Sequence, residues 1–136
     1  MKPFTYLNEY LKTDIAPSST HGIGTFALRD LNVGEDVFTK WYGESKPYIV
    51  SSDEFSILPE PSKFLVLKSY YNKKDYPFIW FRLYNDSYFN LSNPWAYVNT
   101  KETYGNVDSV TQKVIKPIKQ GEELFGTYNL ENTILK

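Results

Sequence analysis

The stretch His21-Gly-Ile-Gly-Thr-Phe-Ala-Leu-Arg-Asp-Leu-Asn-Val-Gly-Glu35 decides how this chain is read. It opens with two glycines one residue apart, and glycine reaches positive φ without a steric cost. Such a pair marks either a tight turn or bulge, or a backbone that must pass close to a ligand. An apolar-rich run at 25–28 follows, and Leu31-Asn-Val-Gly34 has turn chemistry. Beyond it, residues 36–42 alternate apolar and polar side chains, the pattern of a half-buried strand, and the chain reaches Tyr42-Gly43-Glu44.

Working outward, the same punctuation recurs. Aromatic and β-branched runs at 76–83 and 87–91 flank Tyr84-Asn-Asp-Ser87, which predicts a hairpin. Residues 109–115 alternate again, and Lys119-Gln-Gly121 is a turn before a run at 123–128. Helical signal is thin. Phe4, Leu7 and Leu11 share a face for at most three turns, and Ser51 or Ser52 caps a short turn through Phe55 and Leu58 that Pro59 and Pro61 stop. Residues 46–76 are the least patterned and read as an insertion between two β-rich halves. The expected class is mostly β, with several short sheets and little helix.

Composition narrows the function. The 136 residues suit one domain, 1–136, able to bury a core without staples. There is no cysteine, which excludes disulfides, thiolate metal sites and cysteine nucleophiles, and one histidine, His21, leaves little for metals or triads. No metal is expected. A net charge of −1 argues against nucleic-acid binding. Apolar runs do not exceed four residues, so no membrane span is expected, and the polar N-terminal stretch is unlike a signal peptide. The expected location is intracellular, cytoplasmic or nuclear. Aromatics reach 18%, more than a core this size requires, and a chain this small and aromatic could form a homodimer.

Individually the chemical motifs are weak. Gly22-Ile-Gly24 lacks the third glycine of a dinucleotide site and the Gly-Lys-Ser/Thr of a phosphate loop. His21 reads as an exposed loop residue. The acid pairs Glu35-Asp36, Asp53-Glu54 and Glu122-Glu123 flank turns or a helix start, and neighbours on a strand point to opposite faces.

Their order adds information. After the 21–35 stretch and Gly43-Glu44 come Ala96-Tyr-Val-Asn-Thr100 and Gly105-Asn106, and the chain closes with Ile115-Lys-Pro-Ile-Lys-Gln-Gly-Glu-Glu-Leu-Phe-Gly-Thr-Tyr128. This resembles the SET-domain family of protein lysine methyltransferases over about 18–130, in a minimal form without zinc-binding flanks, like those of some viruses and bacteria. The resemblance implies a β-clip fold of short sheets with a C-terminal pseudoknot, and S-adenosylmethionine as cofactor. It implies that Gly22, Ile23 and Gly24 wrap the methionine part of the cofactor, that Asn99 holds the same part, and that the backbone of Thr100 faces the adenine. Tyr128 matches the active-site tyrosine. Trp41, Tyr42 and Tyr97 are the expected walls of a substrate channel, with core packing as the alternative for such aromatics. The partner implied is a protein or peptide lysine. Asp53, Glu54 and Glu60 would favour a basic tail such as a histone's, and a viral source would place the protein in a host cell.

The chain departs from the family pattern at three places. The family's Asn-His-Ser is Asn99-Thr100-Lys101, its Arg-Phe before the asparagine is Ala96-Tyr97, and Trp41 stands where a channel tyrosine is common. These departures keep a second reading open, a SET-like protein-binding module without catalysis. A third, an aromatic β-barrel stacking single-stranded nucleic acid, runs against the net charge.

Overall fold

The computed structural model describes residues 1–89, 94–101 and 105–127. Among them short strands in small sheets dominate and helix is minor, the class the sequence predicts. The chain divides into two compact units, Met1–Leu11 with Thr39–Ser92, and Lys12–Phe38 with Asn93–Lys136. No helix among the described residues is long and apolar enough to cross a membrane.

The second unit carries the motif-bearing stretches. Strands β1 (Thr13–Pro17) and β2 (Ile23–Ala27) pair antiparallel, with Thr13 opposite Ala27 and Pro17 opposite Ile23. The 18–22 loop between them closes through Ser18 N donating to Gly22 O at 2.8 Å, and Gly22 takes the left-handed conformation (φ +51°) the turn needs. A 3-10 turn, Pro94–Tyr97, leads into β5 (Asn99–Thr100); β6 is Val107–Asp108 and β7 is Phe125–Thr127. β7 lies between β5 and β6 and runs parallel to both, so the C-terminal segment is laid between two strands that precede it in the chain. The core is aliphatic: Ala27, Leu31, Val37, Val107, Val114, Ile118 and Leu124, with Phe38, Trp95 and Val98 packed against it.

The first unit is built differently. Pro3–Thr5 (α1) continues into a wider π-type turn, Tyr6–Tyr10, closed by Leu11 N donating to Tyr6 O. Tyr6 is buried, which pushes its phenol above the ordinary value, so it stays protonated and donates to Thr39 O at 2.9 Å. β3 (Lys46–Ser51) pairs antiparallel with β4 (Phe78–Leu83). Two helices, α2 (Ser52–Ile57) and α3 (Glu60–Ser69), fill the segment between.

Three local expectations change. The 84–87 turn forms, with Ser87 N donating to Tyr84 O, but it does not close a hairpin. β4 instead pairs with β3, whose Tyr48 and Val50 face the same side as Phe81 and Ile79. The alternating run 36–42 is not a strand: Asp36 bridges Lys113 in one unit, and Trp41 bridges Ser87 in the other. Alternation reported burial correctly at Val37 and Trp41, but burial of alternate side chains does not supply a continuous partner. Finally, Pro61 does not stop a helix. It sits in the first turn of α3, where a missing N–H costs nothing.

Candidate functional site

Within the second unit, the turn at 18–24, the first residue of β5 and the residues leading into β7 meet. Side chains make the contact at the turn, beside a backbone bridge between Phe26 and Glu123. Asn99 Nδ2 lies 2.8 Å from Glu123 Oε2, 3.1 Å from His21 O, and 3.4 Å from both Ile23 O and Ser18 Oγ. Two amide protons cannot serve four acceptors well, so the two shortest carry most of the interaction. Ser18 Oγ donates to Glu123 Oε1 at 2.7 Å and accepts from Thr20 N at 3.0 Å. Leu124 N donates to Thr25 O at 2.8 Å, tying the C-terminal segment to β2.

A second amide fixes that segment from the other side. Asn106 Oδ1 accepts from Phe125 N at 2.8 Å, its Nδ2 donates to Glu123 O at 3.0 Å, and its own N–H reaches Phe125 O at 2.9 Å. One asparagine therefore satisfies backbone groups on both sides of Leu124, which is buried.

The expected cofactor residues come together here. Gly22 is exposed, Ile23 is about half exposed, Gly24 is buried, and Asn99 is half-buried against the turn although it lies 75 positions beyond Gly24. Thr100 is exposed, and the next residue, Lys101, donates its N–H to Gly126 O and sets its Nζ 4.1 Å over the Phe125 ring. Tyr97 is half-buried at the end of the 3-10 turn in the same unit. Trp41 and Tyr42 belong to the other unit. Trp41 is 2% exposed, edge-on to Tyr6 at 5.6 Å and Tyr48 at 5.5 Å, with Nε1 donating to Glu44 O. Tyr42 is 71% exposed. Tyr128 lies outside the described residues.

Sequence reasoning missed three members of this cluster: Ser18, Asn106 and Glu123. The signal for Glu123 was present in the acid pair it ends. Glu122 faces outward and its carboxylate takes the Lys119 N–H of the preceding turn, so its neighbour on an extended chain turns inward. Chemically, the cluster is a polar rim whose carbonyls and carboxylate hold Asn99 Nδ2 and the Ser18 hydroxyl, leaving Asn99 Oδ1 as an acceptor. Among the described residues no lysine or arginine pairs with Glu123 and no donor reaches Asn99 Oδ1. Such a rim suits a small ligand that offers hydrogen-bond donors or positive charge.

No protein-family description matches the chain, and no curated protein matches it. Several solved structures are similar to it, among them the following two. One is a Plasmodium falciparum protein provisionally assigned as a histone methyltransferase, 14% identical, covering 92% of this chain and 97% of its own, with a TM-score of 0.39. The other is a chain of the Chaetomium thermophilum Polycomb Repressive Complex 2, 24% identical, covering 85% of this chain and 15% of its own, with a TM-score of 0.35.

Proposed function

We propose that this chain transfers a methyl group from S-adenosylmethionine to the side-chain amine of a lysine in a protein substrate. The observation that carries the reading is the meeting of the 22–24 turn with Asn99 beside a C-terminal strand laid between β5 and β6. These are the motifs whose order in the sequence resembles the SET-domain family, and each alone is commonplace. The residues present fit the cofactor: Asn99 keeps its oxygen without a donor among the described residues, and the glycine turn offers backbone rather than side chain.

In this reading Gly22, Ile23, Gly24 and Asn99 would hold the methionine part, and the Thr100 backbone would face the adenine. The bound cofactor supplies a methyl group on a positively charged sulfur. The chain's own task is positioning, since in-line displacement is governed by alignment of the reacting atoms. The incoming amine must be neutral, while a free lysine titrates near about 10.4. A dry channel lined by aromatic side chains would disfavour its charged form; of the expected walls Tyr97 lies in the unit of the site, while Trp41 packs in the other unit's core. Tyr128 would orient the amine, and no general base is called for, in keeping with a chain that has a single histidine.

One observation favours the second reading, a binding module on the same fold. Thr100, which is exposed, stands where the family has histidine. Calorimetric titration of S-adenosylmethionine into the wild type and Asn99→Ala separates the two. Binding by the wild type that weakens roughly tenfold or more in the variant supports the cofactor site, and turnover on lysine peptides then distinguishes the enzyme from a module that binds without transfer. A folded wild type that gives no heat up to millimolar cofactor overturns the enzyme reading in favour of the module.

A further inference from the structure

We infer that Glu123 is a positioning residue of this site, fixing the Asn99 amide with its nitrogen inward and its oxygen outward. The inference rests on the reading of Asn99 as a cofactor-holding residue. Both carboxylate oxygens are engaged, Oε1 by Ser18 Oγ at 2.7 Å and Oε2 by Asn99 Nδ2 at 2.8 Å. The backbone that carries Glu123 is held too: it bridges Phe26, and its carbonyl accepts from Asn106 Nδ2.

An asparagine amide is nearly symmetric in shape, so turning it over exchanges a donor for an acceptor at little steric cost. At position 99 the inward side meets the carbonyls of His21 and Ile23 and a carboxylate oxygen. Turned over, the amide would set its own oxygen against all three. The carboxylate adds a full negative charge to that preference, and a charge-assisted bond is stronger than a neutral one.

The same placement explains Gly24, which does not need positive φ. A Cβ there would fall 2.5 Å from Glu123 Oε2 and 3.1 Å from Ser18 Cβ. The two glycines of the motif thus serve different ends: Gly22 makes the turn, and Gly24 leaves room for the carboxylate that holds Asn99.

The test uses Glu123→Gln and Glu123→Ala, with circular dichroism to establish folding. Two readouts are taken: hydrogen exchange of the Asn99 side-chain amide by NMR, assigned from its loss in Asn99→Ala, and S-adenosylmethionine affinity by titration. Glu123→Gln is expected to rescue, because its oxygen still accepts from Asn99 while its nitrogen donates to the Ser18 hydroxyl, which can give or take. Glu123→Ala is expected to lose protection of the Asn99 amide and to bind the cofactor roughly tenfold or more weakly. If Glu123→Ala does not fold, Glu123→Met, of similar length and without strong acceptors, takes its place. Unchanged exchange at Asn99, or unchanged affinity, in the variant without the carboxylate overturns the inference. A wild type without cofactor affinity overturns the functional reading instead, and the exchange data still decide whether Glu123 holds Asn99.

Discussion

The two units of this chain differ in what they add to a buried aliphatic core. In the unit of Met1–Leu11 and Thr39–Ser92, large rings pack among buried aliphatic side chains such as Leu7, Val66 and Leu83. Tyr6 meets Trp41 edge-on, Trp41 meets Tyr48, and Tyr48 stacks on Phe81 at 6.4 Å. Tyr70 meets both Trp80 and Phe89 edge-on. In the unit of Lys12–Phe38 and Asn93–Lys136 the described core is aliphatic, with Thr25 also buried, and beyond β1 and β2 its strands are only two or three residues long. Isolated backbone bridges such as Phe26–Glu123 and Leu31–Ile118 join its segments, and side-chain amides and carboxylates add ties across separations of 17 to 105 residues at Asn106–Glu123 and Ser18–Glu123. The candidate site lies in the second kind of unit. Polar side chains that fasten the fold there are the same ones that shape a ligand rim, so structure and binding share residues.

The largest effect expected from breaking this contrast is at Trp41. Replacing a fully buried tryptophan by alanine removes the ring shared by Tyr6 and Tyr48 and leaves a cavity, which costs about 3–5 kcal/mol. Denaturant unfolding of Trp41→Ala measures this directly. A loss below about 1 kcal/mol would show the site able to collapse around the void, and the aromatic network would not be what holds this unit.

Asn106→Ala makes the matching cut in the other unit. It removes the acceptor of Phe125 N and the donor to Glu123 O, leaving backbone groups beside buried Leu124 without those partners. Each polar group left unsatisfied costs about 1–3 kcal/mol if it stays dry, and less where water reaches it, so about 2 kcal/mol is expected in the same unfolding assay. The sharper readout is hydrogen exchange, which should accelerate at the Phe125 amide more than at Val50 in the aromatic unit. Uniform acceleration would mean that the clamp has no local role.

What could be read in advance follows the same division. Gly22, Gly24 and Asn99 were singled out by the resemblance that the order of their motifs carries, each being commonplace alone, and the structure brings the three into one cluster. Glu123 was not, since an acid after a turn is more often solvated, and only its inward neighbour relation to Glu122 distinguishes it. In the aromatic unit the pairing of β3 with β4 went unread because Tyr84-Asn-Asp-Ser87 offers a nearer hairpin, and nearness in sequence is not proof of pairing. α3 was hidden by its own composition. It buries Ser62, Leu65 and Val66 while exposing Phe64 and Leu67, so no apolar face stands out from the sequence. Asp53, Glu54 and Glu60 prove to occupy the first turns of α2 and α3, where acids are favoured by the helix dipole.

The smallest expected effect tests whether any part of the aromatic unit is held locally. Ser51 ends β3 and caps α2: its Oγ accepts from Glu54 N at 3.1 Å, three residues on, and its φ and ψ of −65° and 153° are those of a cap. Replacing it by alanine leaves an orphan donor at the start of a six-residue helix, a loss of about 1 kcal/mol. Ser51→Asp keeps an acceptor at the same place and should recover the loss, although Asp53 and Glu54 nearby add some repulsion. Thermal unfolding of both variants separates the cap from the strand. If alanine and aspartate behave alike, Ser51 matters through its pairing opposite Phe78 in β3–β4, and the segment between the strands depends on the aromatic core rather than on its own helix signals.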